Sequence, residues 1–573
     1  MSTNVVWGID LGTTYSCIAR VDENGYPVVI NNDLGESVTP SVVLFASPDE
    51  VTVGSDAKSQ MQLVPDLVCE LVKQNMGNPD WKFSVHDQEW TAPEVSSFTL
   101  KELARSAEKA TGMPVKDVVI TVPAYFGVAE REATIAAGKI AGLNVVHILN
   151  EPTAAAFSYG FAQGGDANET VLVYDLGGGT FDVTVIAMEP GDGGGSNIRV
   201  AATRGDDRLG GAQWDLRLVE LLARKFIEAA PDAVDPLDDP LASADLRVKA
   251  ESIKRALTSR DSHSELVLAG TDRAKVTITR EEFEEATKDL LERTISFTHD
   301  AISDAKAAGV SDIDRVLLVG GSSFMPAVAR RLTEEFPQWT PELTDPNQAV
   351  AKGAALAGLQ QALVQQIAES SGATDGDGHA HGLAVTPSTQ EIEAVAQQFH
   401  MSKSMVEKLV NTSFSDVCSR AFGVKILNDG VDVSALPNGP ADSDFHIEHI
   451  IAAQTQLPVT GVEDGREQTY YTVVDHQDSV KLEIWEQAGD TASPELSSNK
   501  FLEAGLFPMT RPYPRGTPIR VALGMNAQGQ LHLQAWDVDG KHMEFRATSS
   551  NAVISEEQVE ASADKVQAMR QAA

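Results

Sequence analysis

The sequence predicts a multidomain protein. It has an α/β region of two similar lobes over residues 1–365 and an antiparallel β region over 416–550. Three observations predict this. Strand-like apolar runs alternate with helical segments through the first region, as in layered α/β folds. One strand–aspartate–glycine turn recurs within that region. From about residue 416 the pattern changes to two-residue alternation punctuated by hairpin turns.

The recurring turn comes first in the chain. In "VVWGIDLGTTYSCIARV" (5–21) an apolar run meets Asp10, then Leu11, Gly12, Thr13 and Thr14, and the chain becomes strand-like again. In "VLVYDLGGGTFDVTVI" (171–186) the same device returns as Asp175, Leu176, Gly177, Gly178, Gly179 and Thr180, followed by Asp182. A third strand, in "RVLLVGGSSFMPAV" (315–328), runs into Gly320, Gly321 and Ser322. The first two turns lie about 165 residues apart, which suits paired lobes and not a solenoid, whose periods are roughly 20–50 residues. A tight Gly/Thr turn gathers backbone N–H groups and hydroxyls into a concavity that suits phosphate oxygens. An aspartate there repels phosphate, but it can hold a hydrated Mg²⁺, an ion that keeps several waters and takes few carboxylates. Two such turns facing each other would clamp a nucleotide, with Asp10, Asp175 and Asp182 managing metal and water.

The remaining elements follow in order. "DVVITVPA" (117–124) reads as a strand, Ala129 to Ala141 as a helix, and "VVHIL" (145–149) as a strand. The run 347–368 is rich in small residues, carries Lys352 and reads as a buried helix. "SSGATDGDGHAHG" (370–382) reads as a flexible linker, so His379 and His381 are taken as solvated and not as metal ligands. Together, 366–415 form a linker with a helical insert. Within 388–410, Ile392, Val395, Ala396 and Phe399 make one helical face, and Met405, Val406 and Leu409 make another. The second of these helices offers only Lys403 and Lys408, too few basic residues to read DNA. In the β region, "VKLEIWE" (480–486) and "PIRVALGM" (518–525) alternate, and "NAQG" (526–529) and "DVDG" (537–540) supply turns. The segment 551–573 holds one short helix that opens on a capping box, Ser555 and Gln558, with Val559, Ala563 and Val566 on one face.

Composition narrows the function. Of 573 residues, 45 are Lys or Arg and 83 are Asp or Glu, a net charge of −38. That balance opposes binding to nucleic acid or to an anionic membrane. Cys17, Cys69 and Cys418 are odd in number and scattered, which suits a reducing compartment. "MSTNVVWGID" lacks a basic region and an apolar signal core, and no run approaches the ~18 apolar residues of a membrane span. A cytoplasmic protein is expected.

With these motifs in view, the chain resembles the seventy-kilodalton heat-shock chaperones of the DnaK type. Over about 1–360 the resemblance rests on "GIDLGTTYS" (8–16), "VITVPAYF" (119–126), "ILNEPTAAAFSYG" (148–160), "VYDLGGGTFDVTV" (173–185), "LGGAQWD" (209–215), "KRAL" (254–257), "LLVGGSS" (317–323) and "AVAKGAA" (349–355). It continues more weakly over about 416–560. The resemblance implies an actin-like two-lobed ATPase followed by a β-sandwich peptide-binding domain, with the terminal helix as the remnant of a lid. It implies ATP and ADP as ligands with Mg²⁺, and K⁺ as a candidate second ion. By matched positions Asp10, Asp175 and Asp182 would surround Mg²⁺ and the attacking water. Thr13, Thr14 and Thr180 would contact phosphates, Lys73 would be the catalytic lysine, and Glu151 would stand beside the metal. Gly12, Gly177, Gly178, Gly179, Gly210 and Gly211 would complete the nucleotide loops. Glu251, Lys254, Arg255 and Thr258 would lie on the adenosine helix, and Gly320, Gly321 and Ser322 would hold ribose and phosphate. Pro123 and Arg131 would relay nucleotide binding to the second domain. Implied partners are extended apolar segments of unfolded polypeptides, a J-domain co-chaperone and a nucleotide exchange factor.

Four departures stand out. The family's acidic-aliphatic linker is replaced by "SFSDVCSRAFG" (413–423), which leaves coupling between the regions open. The long helical lid is reduced to 555–573, so a peptide site should release its ligand fast. Phe324 stands where the family has an arginine on adenine, and an aromatic ring can still stack there. An insertion, "NDGVDVSALPNGPADSDF" (428–445), enters the peptide-cleft loops. Tyr470, Val480 and Leu482 fall where apolar cleft residues sit, although core alternation explains them equally well. The leading expectation is an ATP-driven chaperone. The alternative is a nucleotide-gated regulatory protein of the same fold with one dedicated partner and weak or no ATPase. A small-metabolite kinase sharing the phosphate loops gives no reason for the attached β region.

Overall fold

The computed structural model describes residues 5–163, 168–191, 194–310, 312–371, 387–436, 439–464, 466–489, 491–527, 529–547 and 555–571. The stretch 372–386, with His379 and His381, lies outside them.

The first lobe is built on β1 (Val6–Asp10), β2 (Tyr15–Val21), β3 (Pro27–Ile30), β4 (Asp117–Val122) and β5 (Asn144–Asn150), in the order β5-β4-β1-β2-β3. β1, β2 and β3 pair antiparallel, and β4 and β5 add in parallel. β4 leads through a loop into α1 (Val128–Ile140), and β5 leads straight into α2 (Glu151–Ala162). These strands are near-continuous apolar runs because both sheet faces are covered.

The second lobe repeats the plan. β6 (Glu169–Leu176), β7 (Phe181–Pro190) and β8 (Ser196–Asp206) pair antiparallel, and β9 (Arg315–Val319) and β10 (Pro341–Leu343) add in parallel, in the order β10-β9-β6-β7-β8. The repeated motif in the sequence is thus a repeated topology, and each aspartate–glycine turn is the first hairpin of its lobe. α3 (Pro240–Ala256) belongs to the outer part of this lobe, and α4 (Ala349–Ser371) crosses back onto β1 and α2.

The insert forms α5 (Thr389–Gln398) and α6 (Lys403–Val410), capped by the side chains of Ser388 and Ser402. Their buried Ile392, Val395, Val406 and Leu409 share one core with Leu356, Leu363 and Ile367 of α4. Gln360 of α4 donates from Nε2 to Leu409 O at 2.8 Å and also to Thr412 O. This packing delivers β11 (Ser413–Ser415) to the edge of the second lobe, where it pairs in parallel with Asn197–Arg199 of β8.

The β region has two four-stranded antiparallel sheets. One is β12 (Phe422–Leu427), β13 (Phe445–Ile451), β15 (Gln477–Gln487) and β16 (Asn499–Tyr513). The other is β14 (Glu467–Tyr471), β17 (Pro518–Met525), β18 (Leu531–Trp536) and β19 (His542–Ala547). Ile484, Leu502, Phe507, Val521 and Leu533 fill a common core. Between β12 and β13 the described residues of the insertion include two single turns, Val433–Ala435 and Asp442–Asp444.

The β region rests against both lobes. Gln454 holds the backbone N–H and C=O of Thr203 at 3.0 and 2.8 Å, and Thr153 Oγ1 donates to Asp416 Oδ1 at 2.9 Å. The chain then returns to the first lobe. There α7 (Glu556–Ala568) buries Val566 in the lobe core, and β20 (Arg570–Gln571) pairs in parallel with Glu50–Val51. Lys565 Nζ lies 3.8 Å from the centre of the Trp90 ring and 3.2 Å from Glu94 Oε1, which also accepts from Ser562 Oγ at 3.0 Å. Among the described residues no helix is long and apolar enough to cross a membrane. Cys17, Cys69 and Cys418 are buried and free.

Candidate active site

The two glycine turns meet across the cleft. A Cβ on Gly178 would overlap the Thr14 side chain, so the approach of the second-lobe turn to the first-lobe turn requires glycine there. Gln74 Nε2 reaches from the first lobe to Gly179 O at 3.1 Å. Within the second-lobe turn, Gly177 N–H donates to Thr180 O at 3.0 Å.

Between the lobes lies a cavity of about 480 Å³. One end is acidic and lined by Asp10, Gly12, Thr13, Thr14, Lys73, Glu151, Asp175, Gly177, Gly178 and Thr180. The other end is lined by Glu251, Lys254, Arg255, Thr258, Gly320, Gly321, Ser322 and Phe324. Four sequence-nominated residues stand behind this wall. Asp182 is buried directly across the β6–β7 hairpin from Asp175. Gly179 lies against Thr13 and Gly210. Gly211 and Ala212 N–H groups donate to the carbonyls of Gly177 and Gly178 at 3.0 and 2.7 Å, which fixes the turn from below.

The acidic end is electrostatically unusual. Lys73 Nζ donates to Glu151 Oε1 at 2.6 Å, and both side chains are less than 10% exposed. Glu151 begins α2, where the positive end of the helix dipole favours a carboxylate. Asp10, Asp175 and Asp182 share this one ammonium. Burial, with Glu151 next, pushes the Asp10 carboxyl up to about 7. Burial and Glu151 push Asp182 up to about 8 against the opposing Tyr125 N–H, which donates to its Oδ1 at 3.2 Å. Burial and then the neighbouring acids hold Asp175 well above the usual range. Such a cluster calls for a further cation.

The far end closes on a second network. Tyr15 Oη donates to Glu251 Oε1 at 2.9 Å, and Lys58 Nζ bridges Glu251 Oε2 at 2.6 Å and Tyr15 Oη at 2.9 Å. Burial pushes the Glu251 carboxyl up, and Lys58, with Lys254 and the Tyr15 hydroxyl, more than offsets it, so the group sits below its ordinary value. Lys254 is held by Asp215 at 2.6 Å. Phe324 presents 42% of its surface at the cavity rim.

The structure places the other nominated residues elsewhere. Pro123 and Arg131 flank the loop after β4, where Arg131 Nε donates to Phe126 O at 3.1 Å and Nη2 to Asn150 Oδ1 at 2.6 Å. Tyr470, Val480 and Leu482 lie in the β region. Leu482 is buried, and Tyr470 and Val480 pack half-buried on its core. Tyr15, Lys58, Gln74 and Asn347 also belong to the cleft and were not nominated. Tyr15 directly follows the first turn and was within reach of sequence reasoning, whereas Lys58 and Gln74 carry no local signal.

Comparison with known proteins agrees with this geometry. The family model described as Hsp70 protein matches residues 6–78 and 61–367. The chain is 34% identical over 562 residues to the chaperone proteins DnaK of Thermotoga neapolitana and Thermotoga petrophila, covering 97% of this chain and 82% of each relative. The chain belongs to the Hsp70 family of ATP-hydrolysing chaperones.

Proposed function

We propose that the cleft between the lobes binds ATP with Mg²⁺ and hydrolyses it, and that the β region holds extended apolar segments of unfolded polypeptides. The observation that carries this reading is the pair of opposed aspartate–glycine turns walled by the buried Lys73–Glu151 pair. In this reading residues 1–365 are an actin-like nucleotide-binding domain and 366–415 a linker with a helical insert. Residues 416–550 are a β-sandwich that binds peptide, and 551–573 a terminal helix.

The donor set suits Mg²⁺. Three enclosed aspartates and Glu151 face a single ammonium. Among the described residues no three such groups converge closely enough to ligate one ion directly, so the ion would be held by Asp10, Asp175 and Asp182 through water. When bound, Mg²⁺ neutralises charge on the phosphates. The chain's own residues do the rest. Thr13, Thr14 and Thr180 offer hydroxyls to phosphate oxygens. Lys73 stabilises charge developing on the γ-phosphate, and Asp182 or Asp10 orients the attacking water. Lys254, Arg255, Thr258 and Ser322 surround the nucleoside, and Phe324 stacks on the base. K⁺ is a candidate second ion at the same acidic end.

Hydrolysis is tested by ATP turnover of the full chain with and without an unfolded client. Turnover stimulated by client supports the reading, and an inactive wild type refutes it. Captured proteins distinguish the roles of the β region: many unfolded clients support a chaperone, and one stoichiometric partner supports the dedicated-partner alternative. A J-domain protein and an exchange factor are the proposed co-chaperones, and the cytoplasm the proposed compartment.

A further inference from the structure

The two-helix insert touches both lobes, and it touches them at matching places. Each aspartate–glycine turn at the cleft opens a strand, β2 in the first lobe and β7 in the second. The far ends of those strands run into a second pair of turns. In the first lobe Asp22 N–H donates to Tyr26 O at 2.8 Å, and in the second Gly191 N–H donates to Gly195 O at 2.8 Å. Gly25 of the first of these turns has φ +85° and lies bare against the insert, where a Cβ would meet Met405 Cε at 3.0 Å and Met401 Cε at 3.5 Å. Gly195 of the second lies so close to Asn411 that a Cβ would overlap its carbonyl, and Ser196 N–H donates to Thr412 Oγ1 at 3.3 Å. Between these two ends the insert is bonded to α4. Gln398 Nε2 donates to Gln366 Oε1 at 2.9 Å, and the buried Gln360 holds Leu409 O at 2.8 Å. A crevice where the insert and both lobes meet is lined by Phe157, Phe161, Ile198 and Leu409, and the chain crosses from the first lobe to the second just beyond Phe161.

We propose that the insert α5–α6 is a staple across the far ends of the two lobes, and that it slows the parting of the lobes that nucleotide release requires. This rests on the nucleotide reading of the cleft. The cavity lies between the lobes, so a ligand enclosed in it leaves when they swing apart. Each lobe moves as a rigid body, and a swing that separates the glycine turns at one end of β2 and β7 also displaces the turns at the other end. With the cleft closed, as Gln74 on Gly179 and Lys58 on Glu251 hold it, Met401 and Met405 cover one far turn while Asn411 and Thr412 hold the other. Opening must slide the methionines off Gly25 or deform α6. Both methionines are half-buried and pack on the core that the insert shares with α4, so their contact favours the closed form. No described residue of the insert lines the cavity, so the staple acts on lobe motion and leaves the chemistry as it is.

The test follows release of a fluorescent nucleotide, N-methylanthraniloyl-ADP, from the full chain into excess unlabelled ADP, beside single-turnover hydrolysis of ATP. M401S/M405S strips the insert from the first-lobe turn and is expected to release the analogue about 3- to 10-fold faster, the size of effect that losing two half-buried apolar contacts gives. Q360M cuts the hold of α4 on the end of α6 at similar volume. It is expected to speed release by at least about threefold, which keeps the test valid if the double variant folds poorly. V566A loosens the first-lobe core without touching the insert and is expected to stay within about twofold of wild type. The single-turnover rate is expected within about twofold of wild type in all three. Unchanged or slower release in the folded M401S/M405S and Q360M variants overturns the inference. So does an equal acceleration in V566A, which would assign the effect to lost stability in general, and so does a loss of hydrolysis rate as large as the gain in release. A wild type that does not bind the analogue refutes the nucleotide reading itself, whereas a wild type that binds it and variants that release it at the wild-type rate refute this inference alone.

Discussion

Replacing Lys73 probes the centre of the site. Its ammonium lies 2.6 Å from Glu151 Oε1, which at an effective dielectric of about 20 corresponds to roughly 6 kcal/mol of attraction before desolvation is subtracted. Removing one partner of such a buried pair costs about 3–5 kcal/mol of stability. The catalytic effect is separate. Losing a preorganised charge aimed at the transition state costs about 3–4 kcal/mol, or roughly 10²- to 10³-fold in kcat. Lys73→Met keeps the side-chain volume and isolates the charge. It is expected to lower ATP turnover at least about 100-fold while ATP affinity, read by fluorescence titration, changes only several-fold. Adding Glu151→Gln removes the orphaned carboxylate. The double variant should regain most of the lost melting temperature and none of the turnover. Turnover of the single variant within about threefold of wild type would refute the role of Lys73. Recovery of turnover in the double variant would show that Lys73 acts only by neutralising Glu151.

Three further outcomes are expected. The raised carboxyls of Asp10 and Asp182 favour the ligand-free fold below the ordinary carboxylate value, and that contribution is lost as pH rises through about 7 to 8. The melting temperature of the nucleotide-free protein should therefore fall between about pH 4 and 8 and level off above that, and Mg²⁺·ATP should bind more tightly at the alkaline end with release of protons, measured by calorimetry in buffers of different ionisation enthalpy. Phe324→Ala should raise the KM for ATP roughly 3- to 10-fold with kcat preserved, the loss of one stacked ring. Deleting residues from Ser555 onward exposes the pocket filled by Val566 and Met569, which are 0% and 7% exposed, so stability should fall by about 3–6 kcal/mol. Peptide dissociation should stay within about twofold in that truncation, because the helix is packed into the first lobe; a large acceleration would make it a working lid.

The sequence exposed what is decided locally. Gly178 must be glycine because Thr14 stands against it, and that demand appears as the "DLGGGT" pattern whatever the partner. The apolar faces of the insert were visible as Ile392, Val395, Val406 and Leu409, and all four are buried. The terminal helix showed its face too, at Val559, Ala563 and Val566, but a periodic stripe does not say what covers it. Its cover is a core that also contains Trp90 and Phe98, more than 450 positions earlier in the chain. Lys58 meets Glu251 across 193 positions, and Arg420 meets Tyr125 across 295. Pairings of that kind follow from lobe closure and domain docking, and no spacing rule in the sequence encodes them. Tyr470, Val480 and Leu482 illustrate the opposite limit. Alternation identifies them as inward-facing, and the same alternation serves a core and a peptide groove alike.

The most direct measurement is a crystal structure of the full chain with Mg²⁺ and a non-hydrolysable ATP analogue. The triphosphate is expected between Thr13–Thr14 and Gly177–Thr180. The ion should be held through water by Asp10, Asp175 and Asp182, and the base should lie against Phe324. A nucleotide bound elsewhere, or a cleft closed with no triphosphate in it, would contradict the account.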